Sequence, residues 1–309
     1  MASRSLLTTF VKRNFWSKKK KDFGRYAIVR PGNVSEMRKI PDGIVKPSYF
    51  ATGEPAEVVE HAEIKNGEEI LKMRKSCVLA ANILKKVGEF LEPGKTTDEI
   101  DKLVHSLTIE NGAYPSPYNY RNFPKSVCTS INNVACHGIP DDRKLLNGDI
   151  INVDITVFLD GHHGDCSKSF LVGDVDDVGK NLVEATEICL HEGIEICKPG
   201  AYFRQIGAQI QQRASQLGFN VIPAFIGHGI GRYFHGPPDI YHMRNNYPGR
   251  MEPGMTFTIE PILTQGGHMI EILEDDWTAV TVDDARTAQF EHTVLILDSG
   301  VKILTLPDL

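Results

Sequence analysis

No stretch of this 309-residue chain approaches the ~18 apolar residues that a membrane-crossing helix needs. No two cysteines stand in a CxxC spacing. The six lie scattered at 77, 128, 136, 166, 189 and 197, which argues against a zinc ribbon or a disulfide framework and fits a reducing compartment. Acidic residues are missing from positions 1–21, which hold Arg4, Lys12, Arg13 and Lys18 to Lys21, although the chain as a whole carries −6. The remainder is therefore more acidic than the total suggests and would repel a phosphate backbone. These absences predict no membrane insertion and no nucleic-acid partner, and a monomer is expected.

The basic start has its own pattern. Leu6, Leu7, Phe10, Val11 and Phe15 fall near helical spacing among Ser, Thr and basic residues, as in an organelle transit peptide. A leader over 1–22 and delivery to the mitochondrial matrix are the expectation. A cytoplasmic protein with a disordered basic tail, or a nuclear signal, is the alternative. Residues 23–56 repeat Pro and Gly (Pro31, Gly32, Pro41, Gly43, Pro47, Gly53, Pro55) and read as an extended arm. Residues 57–309 read as one globular domain.

That domain opens with helices. Ile70, Leu71, Cys77, Val78, Ala81, Leu84 and Val87 give a helical face between Glu68 and Phe90, which Pro93–Gly94 closes. Thr96 and Glu99 form a capping box for a second helix, ending near Asn111–Gly112.

The chain then repeats itself. Pro93–Gly94 matches Pro199–Gly200, Ile100 matches Ile206, Gly112 matches Gly218, Gly148 matches Gly254, and Asp154 matches Glu260, always 106 positions apart. Each copy reads as two helices, a loop and a strand ending in a carboxylate. Two pseudo-symmetric halves sharing one sheet, with helices on one face, satisfy this pattern. Asp154 and Glu260 then meet near the pseudo-twofold axis. In 150–158, Ile151, Val153, Ile155 and Val157 alternate with Asn152, Asp154 and Thr156, which puts an apolar side on the helices and a polar side in a cleft.

Five residues in such settings form one oxygen-rich constellation: Asp154, Asp165, His228, Glu260 and Glu291. Four carboxylates and one imidazole suit a pair of divalent cations. Asp160–Gly161 is a favoured hairpin turn and pairs Asp165 with Thr156, so Asp154 and Asp165 become diagonal neighbours on one face. Uncompensated, such charges ~4 Å apart repel by roughly 4 kcal/mol at an effective dielectric near 20. The alternative is a pair of solvated hairpin acids. His228 lies between glycines, which bring backbone close and leave the ring open, or else simply make a flexible loop. His137 and His235 each begin a His-Gly-x-Pro turn ahead of a site strand and are expected to border the cleft. Pro261 ends the strand after Glu260. Glu291 sits on an alternating strand over 289–297, and His292 points to its other face. His61, His105, His162, His163, His191, His242 and His268 have no comparable context.

Together, PKSVCTSINNVACHGIP, INVDITVFLDGHHGDCSKSF, GHGIGRYFHGPP, FTIEPIL, LEDDWTAVT and AQFEHTVLI are similar to the methionine aminopeptidases, type 1 branch, over residues 57–309. The missing N-terminal Cys/His region and the short spacing between His228 and Glu260 narrow the likeness to leader-bearing type 1 forms such as the mitochondrial 1D kind. The resemblance implies an α/β (α+β) pita-bread fold, with pseudo-twofold halves and a curved, mainly antiparallel sheet flanked by helices. It implies two divalent ions (Co, Mn or Fe) on Asp154, Asp165, His228, Glu260 and Glu291. The activity implied is removal of the initiator methionine from nascent or newly made chains by a hydroxide bridging the two ions, with a small second residue favoured. Glu260 would also shuttle a proton, and His137 and His235 would hold the peptide and stabilise the tetrahedral intermediate. Tyr120, Phe123, Cys128, Phe234 and Trp277 would line the methionine pocket, whose aromatic walls suit a thioether. Arg121 departs from the family pattern, standing where relatives have something smaller or different. Competing readings are a proline-directed enzyme of the prolidase or aminopeptidase P kind, a metal-free binding protein of the same fold, and an enzyme with a nucleic-acid arm.

Overall fold

The computed structural model describes residues 22–55 and 59–308, so the expected leader lies outside the described residues except for Asp22. Two capping boxes start the first two helices. Asn66 Oδ1 accepts from the N–H groups of Glu68 and Glu69, and Glu69 Oε2 accepts from Asn66 N–H, opening α1 (Gly67–Phe90). Thr96 and Glu99 repeat the device at α2 (Thr97–Glu110), satisfying N–H groups that have no partner within the helix. Helix α1 buries Met73, Cys77, Ala80, Ala81, Leu84 and Val87. Leu71, expected on that stripe, is 63% exposed: one residue past Ile70 it has turned ~100° away from the buried face.

The central strands are β1 (Ile150–Leu159), β2 (His162–Leu171), β3 (Thr256–Ile259) and β4 (Glu291–Ile296). They stand in the spatial order β1-β2-β4-β3 inside a nine-stranded antiparallel sheet, which continues past β3 to Gly227–Gly229 and Gly236–Ile240. Helices α3 (Asp177–Glu195) and α4 (Arg204–Gln216) complete the second half. The strand expected over 289–297 is interrupted: Thr287–Gln289 belongs to a separate three-stranded sheet, and β4 begins only at Glu291. Phe290 makes the break because its ring is buried in the α3–α4 core.

The internal repeat recurs in the backbone bonding. Isolated bridges join Thr96 to Lys144 and Tyr202 to Arg250, 106 positions apart on both sides. Gly94 N–H bonds Leu145 O, and Gly200 N–H bonds Met251 O, each at 2.8 Å. Gly148 and Gly254 both take φ above +90°, a conformation that only glycine adopts freely. Each half has its own apolar core. One joins α1 and α2 to Ile151, Val153, Ile155 and Val157; the other joins α3 and α4 to Phe257, Ile259, Val294 and Ile296.

Helix α1 rests directly on β2 at Gly164. A Cβ there would stand 2.4 Å from Cys77 N and 2.5 Å from Ser76 C, both backbone atoms that cannot yield locally. Gly164→Ala is therefore expected to cost about 3 kcal/mol by forcing helix and hairpin apart. The urea midpoint checks it against Leu71→Ala, an exposed site that should move it little.

The arm, described over residues 23–55, has a single 3₁₀ turn (Ser48–Phe50) and is tied down by side chains from both halves. Arg25 N–H bonds Asp176, Asn33 bonds Asp142, and Arg38 bridges Asp98 and Asp101. Burial pushes the Asp98 carboxyl upward, but bonds from Lys125 and Ser35 outweigh it and leave it below its ordinary range. Bonds from Asn33 lower Asp142, and those from Arg286 and Arg25 outweigh burial at Asp176. A carboxyl lowered in the docked state favours docking above the ordinary Asp pKa of about 4 and loses that contribution as pH falls through the lowered value. Hydrogen exchange, corrected for intrinsic rates, should show protection at Arg25 and Asn33 at pH 6 and its loss in acid, below the ordinary Asp range. Equal protection at both would disprove carboxylate anchoring.

Candidate active site

Strand register assembles the acids. Ser167 on β2 lies opposite Asp154 of β1 on one side and Glu291 of β4 on the other. Asp165 is two residues back along the same face of β2, opposite Thr156, as the hairpin turn predicts. Three carboxylates from three adjacent strands thus share one face. Glu260 follows the last residue of β3. His228 is the middle residue of Gly227–Gly229, the neighbour of β3, and its N–H bonds Thr258 Oγ1 at 2.9 Å. Side chains at Gly227 and Gly229 would collide with Thr258 O and Pro237 O, so both glycines permit the close strand approach that brings His228 in.

The five side chains converge. Ligand atoms of Asp165, His228 and Glu291 all lie within 4.8 Å of one another. His228 Nε2 stands 3.8 Å from Asp165 Oδ2 and 3.7 Å from Glu260 Oε1. Hydroxyls orient two of the acids: Thr156 Oγ1 donates to Asp165 Oδ1 at 2.6 Å, and Thr258 Oγ1 donates to Glu260 Oε1 at 2.8 Å. Gln289 Nε2 lies 3.3 Å from Glu260 Oε2, and Glu260 N–H donates to His242 Nε2 at 3.0 Å. Glu291 Oε1 is buried with no hydrogen-bond partner.

Burial pushes all four carboxyls upward, and mutual repulsion adds to it at Asp165, Glu260 and Glu291. Burial also lowers His228 to about 4, so the imidazole is neutral and lends no positive charge. A neutral imidazole, four carboxylates wanting positive charge and an unsatisfied buried oxygen are what hard divalent cations require of a site. The residues present fit that group.

The acids floor a cavity of about 230 Å³. Its walls hold every other predicted site residue: Tyr120, Phe123, Cys128, His137, Phe234, His235 and Trp277. Phe123 and Trp277 meet edge to face with centroids 5.1 Å apart, and His137 packs against Trp277 at 5.5 Å. Phe234 and His235 lie 4.1 Å apart, with Tyr120 beside both. Loss of hydration lowers His137 to about 4, and in the cavity wall it also lowers His235, with the neighbouring histidines and Arg121 adding to the effect, so both imidazoles are neutral donors at pH 7.

Two histidines set aside from the sequence belong here. His242 receives the Glu260 N–H, and His163 stacks on Phe234 at 5.2 Å, with its Nδ1 2.8 Å from Ser116 Oγ. Phe225 also lines the cavity, 5.1 Å from His137. Thr156 and Thr258 carried a readable signal, since each lies two residues from an acid on the same strand face. His242 carried none, because a loop brings it to Glu260. His292 faces away, its Nδ1 2.9 Å from Thr305 Oγ1.

The sequence matches metallopeptidase family M24 over residues 71–298. It is 50% identical over 295 residues to methionine aminopeptidase 1D, mitochondrial, of Danio rerio, covering 95% of this chain and 86% of that one. It is 51% identical over 277 residues to methionine aminopeptidase 1B, chloroplastic, of Arabidopsis thaliana, covering 90% and 75%. Its fold superposes on a methionine aminopeptidase crystal structure from Rickettsia prowazekii with a TM-score of 0.78 and 41% identity, covering 80% of this chain and all of that one.

Metal-free protein should be strained by its own acids. Asp165→Asn is expected to raise the melting temperature of EDTA-treated protein while removing most of the gain on adding Mn²⁺ or Co²⁺. In the parent that gain should be about 2.7 kcal/mol at a hundred-fold excess over Kd. Calorimetry reads both changes, and a parent indifferent to either metal would rule out the cation site.

Proposed function

This chain belongs to metallopeptidase family M24, among its methionine aminopeptidases, and from that premise we propose that it removes the N-terminal methionine of newly made proteins, with two divalent cations on Asp154, Asp165, His228, Glu260 and Glu291. The observation that carries the reading is one acid-floored cavity with aromatic and sulfur-bearing walls. Such cations would supply positive charge and Lewis acidity at the scissile carbonyl. Mn, Co and Fe all suit the donor set.

The protein's own groups do the rest. Phe123, Cys128, Phe234 and Trp277 receive the methionine side chain and exclude water from it, which favours an apolar, polarisable thioether over a charged side chain. His235 and His137 are neutral, so each has an N–H to give: His235 to the oxygen that becomes negative in the transition state, His137 to the next peptide group. Glu260 takes the proton from the attacking water and passes it to the leaving amine. Thr258 and Gln289 hold its two oxygens, so the carboxylate faces the reacting atoms in one orientation. Tyr120 and His235 narrow the mouth, which favours Gly, Ala or Ser as second residue.

We assign residues 57–309 to the catalytic domain, 23–56 to an arm, and 1–22 to a transit peptide for the mitochondrial matrix. The basic, acid-free start and the name of the Danio rerio relative support that destination. Action as a monomer on nascent or newly imported chains completes the reading.

A peptide panel on purified Mn²⁺-loaded protein tests the activity. Met-Ala-Ser should yield free methionine, Met-Leu-Ser at least ten times less, and Ala-Pro-Pro no alanine. Alanine release without methionine release would establish the proline-directed alternative. Glu260→Gln should lower kcat by about 10² to 10⁴-fold, the usual worth of a positioned general base, with the fold retained by circular dichroism.

A further inference from the structure

The loop over the cavity mouth carries an arginine in an unusual backbone setting. Asn119, Arg121 and Asn122 have φ of +58°, +48° and +67°. Asparagine enters this left-handed region readily, whereas arginine does so only when its surroundings hold it there. The arm supplies the hold. Arg121 N–H donates to Gly53 O at 2.6 Å, Asn119 Nδ2 donates to Phe50 O at 2.8 Å, and Tyr49 packs edge-on against Tyr120 with centroids 5.0 Å apart.

Held this way, the Arg121 side chain is exposed at the rim. Its guanidinium carbon lies 5.8 Å from the centroid of the Tyr120 ring. Tyr120 itself lines the cavity beside His235. Among the described residues no carboxylate stands within ion-pair distance of Arg121; Glu54 acts on the neighbouring Tyr120 from farther off, and the guanidinium still faces whatever crosses the rim. A peptide with its first residue in the pocket must leave by that mouth, and each further residue advances it by about 3.4 Å. Side chains two and three residues past the scissile bond therefore pass the guanidinium.

We propose that Arg121 is a specificity-determining residue that favours an acidic side chain, and disfavours a basic one, at the third and fourth positions of the substrate. The inference rests on the aminopeptidase reading above and deepens it. One partly screened charge pair at a protein surface gives a preference of about five-fold at most, enough to rank substrates without deciding which are processed.

The test uses three amidated tetrapeptides, Met-Ala-Glu-Ala, Met-Ala-Gln-Ala and Met-Ala-Lys-Ala, on the Mn²⁺-loaded full chain. Competition assays at low salt give the kcat/KM ratio of the Glu to the Lys peptide. The parent should favour Glu by about three- to five-fold. Arg121→Asn, which suits a positive φ better than arginine and so keeps the loop, should bring the ratio near one. Arg121→Glu should invert it. In 0.5 M KCl the parent's preference should shrink, because a rim charge is screened over a few ångströms. A ratio identical in the parent and Arg121→Glu would overturn this inference alone. No methionine from any of the three peptides would remove the aminopeptidase reading and the inference with it.

Discussion

Four buried carboxyl groups share one pocket, and their mutual repulsion is the constraint on which this architecture depends. Each costs free energy to bury charged, and proximity compounds the cost. Among the described residues no lysine or arginine hydrogen-bonds these carboxylates; hydroxyls and an amide side chain orient them, beside a neutral imidazole. A protein selected for stability alone would replace such acids with apolar side chains. The surrounding strands are rigid and antiparallel, and the adjoining core is tightly filled, because only a stiff frame keeps like charges from moving apart. Divalent cations turn the same geometry from a liability into a binding site.

The duplicated plan explains how so few strands assemble that frame. Each half contributes two helices, a bridge from the loop before the second helix, and a glycine turn into a central strand. The two copies meet between β2 and β4, so acids from both halves face one another across the join. The halves diverge where chemistry requires it. β1 and β2 form a long, regular hairpin that presents two aspartates, whereas the second half uses shorter strands and glycine-flanked His228. Pseudo-symmetry serves the scaffold and asymmetry serves the site.

Much of this was legible beforehand, for identifiable physical reasons. The shared face of Asp154 and Asp165 could be read because period-two alternation and the Asp160–Gly161 turn fix the register, and a one-residue slip would flip every side chain. The Thr96–Glu99 capping box was legible because it depends on local bonding, and the 106-residue repeat because its matched positions stand in the sequence itself. Other features depend on contacts remote in sequence. The strand break at Phe290 is imposed by α3–α4 packing, and Leu71 misses its stripe because helical phase, not hydrophobicity, decides burial. His242 and His163 act through partners that loops deliver. The arm's Pro and Gly content announced extended chain but not its partners, since Asp98, Asp142 and Asp176 belong to other parts of the fold.

The arm's attachments also bear on the order of events in folding. Tyr26 donates to the carbonyl of Asp284, and Asn132 to that of Ala27, so its anchors come from stretches far apart in the chain. Arg286 reaches Phe23 O from near the other end. During synthesis the arm, made before both halves, must wait for the last third of the polypeptide before it can settle. Until then its polar backbone remains solvated and both lobes stay unstrapped. A segment made before both halves is thus the closing latch of the assembly.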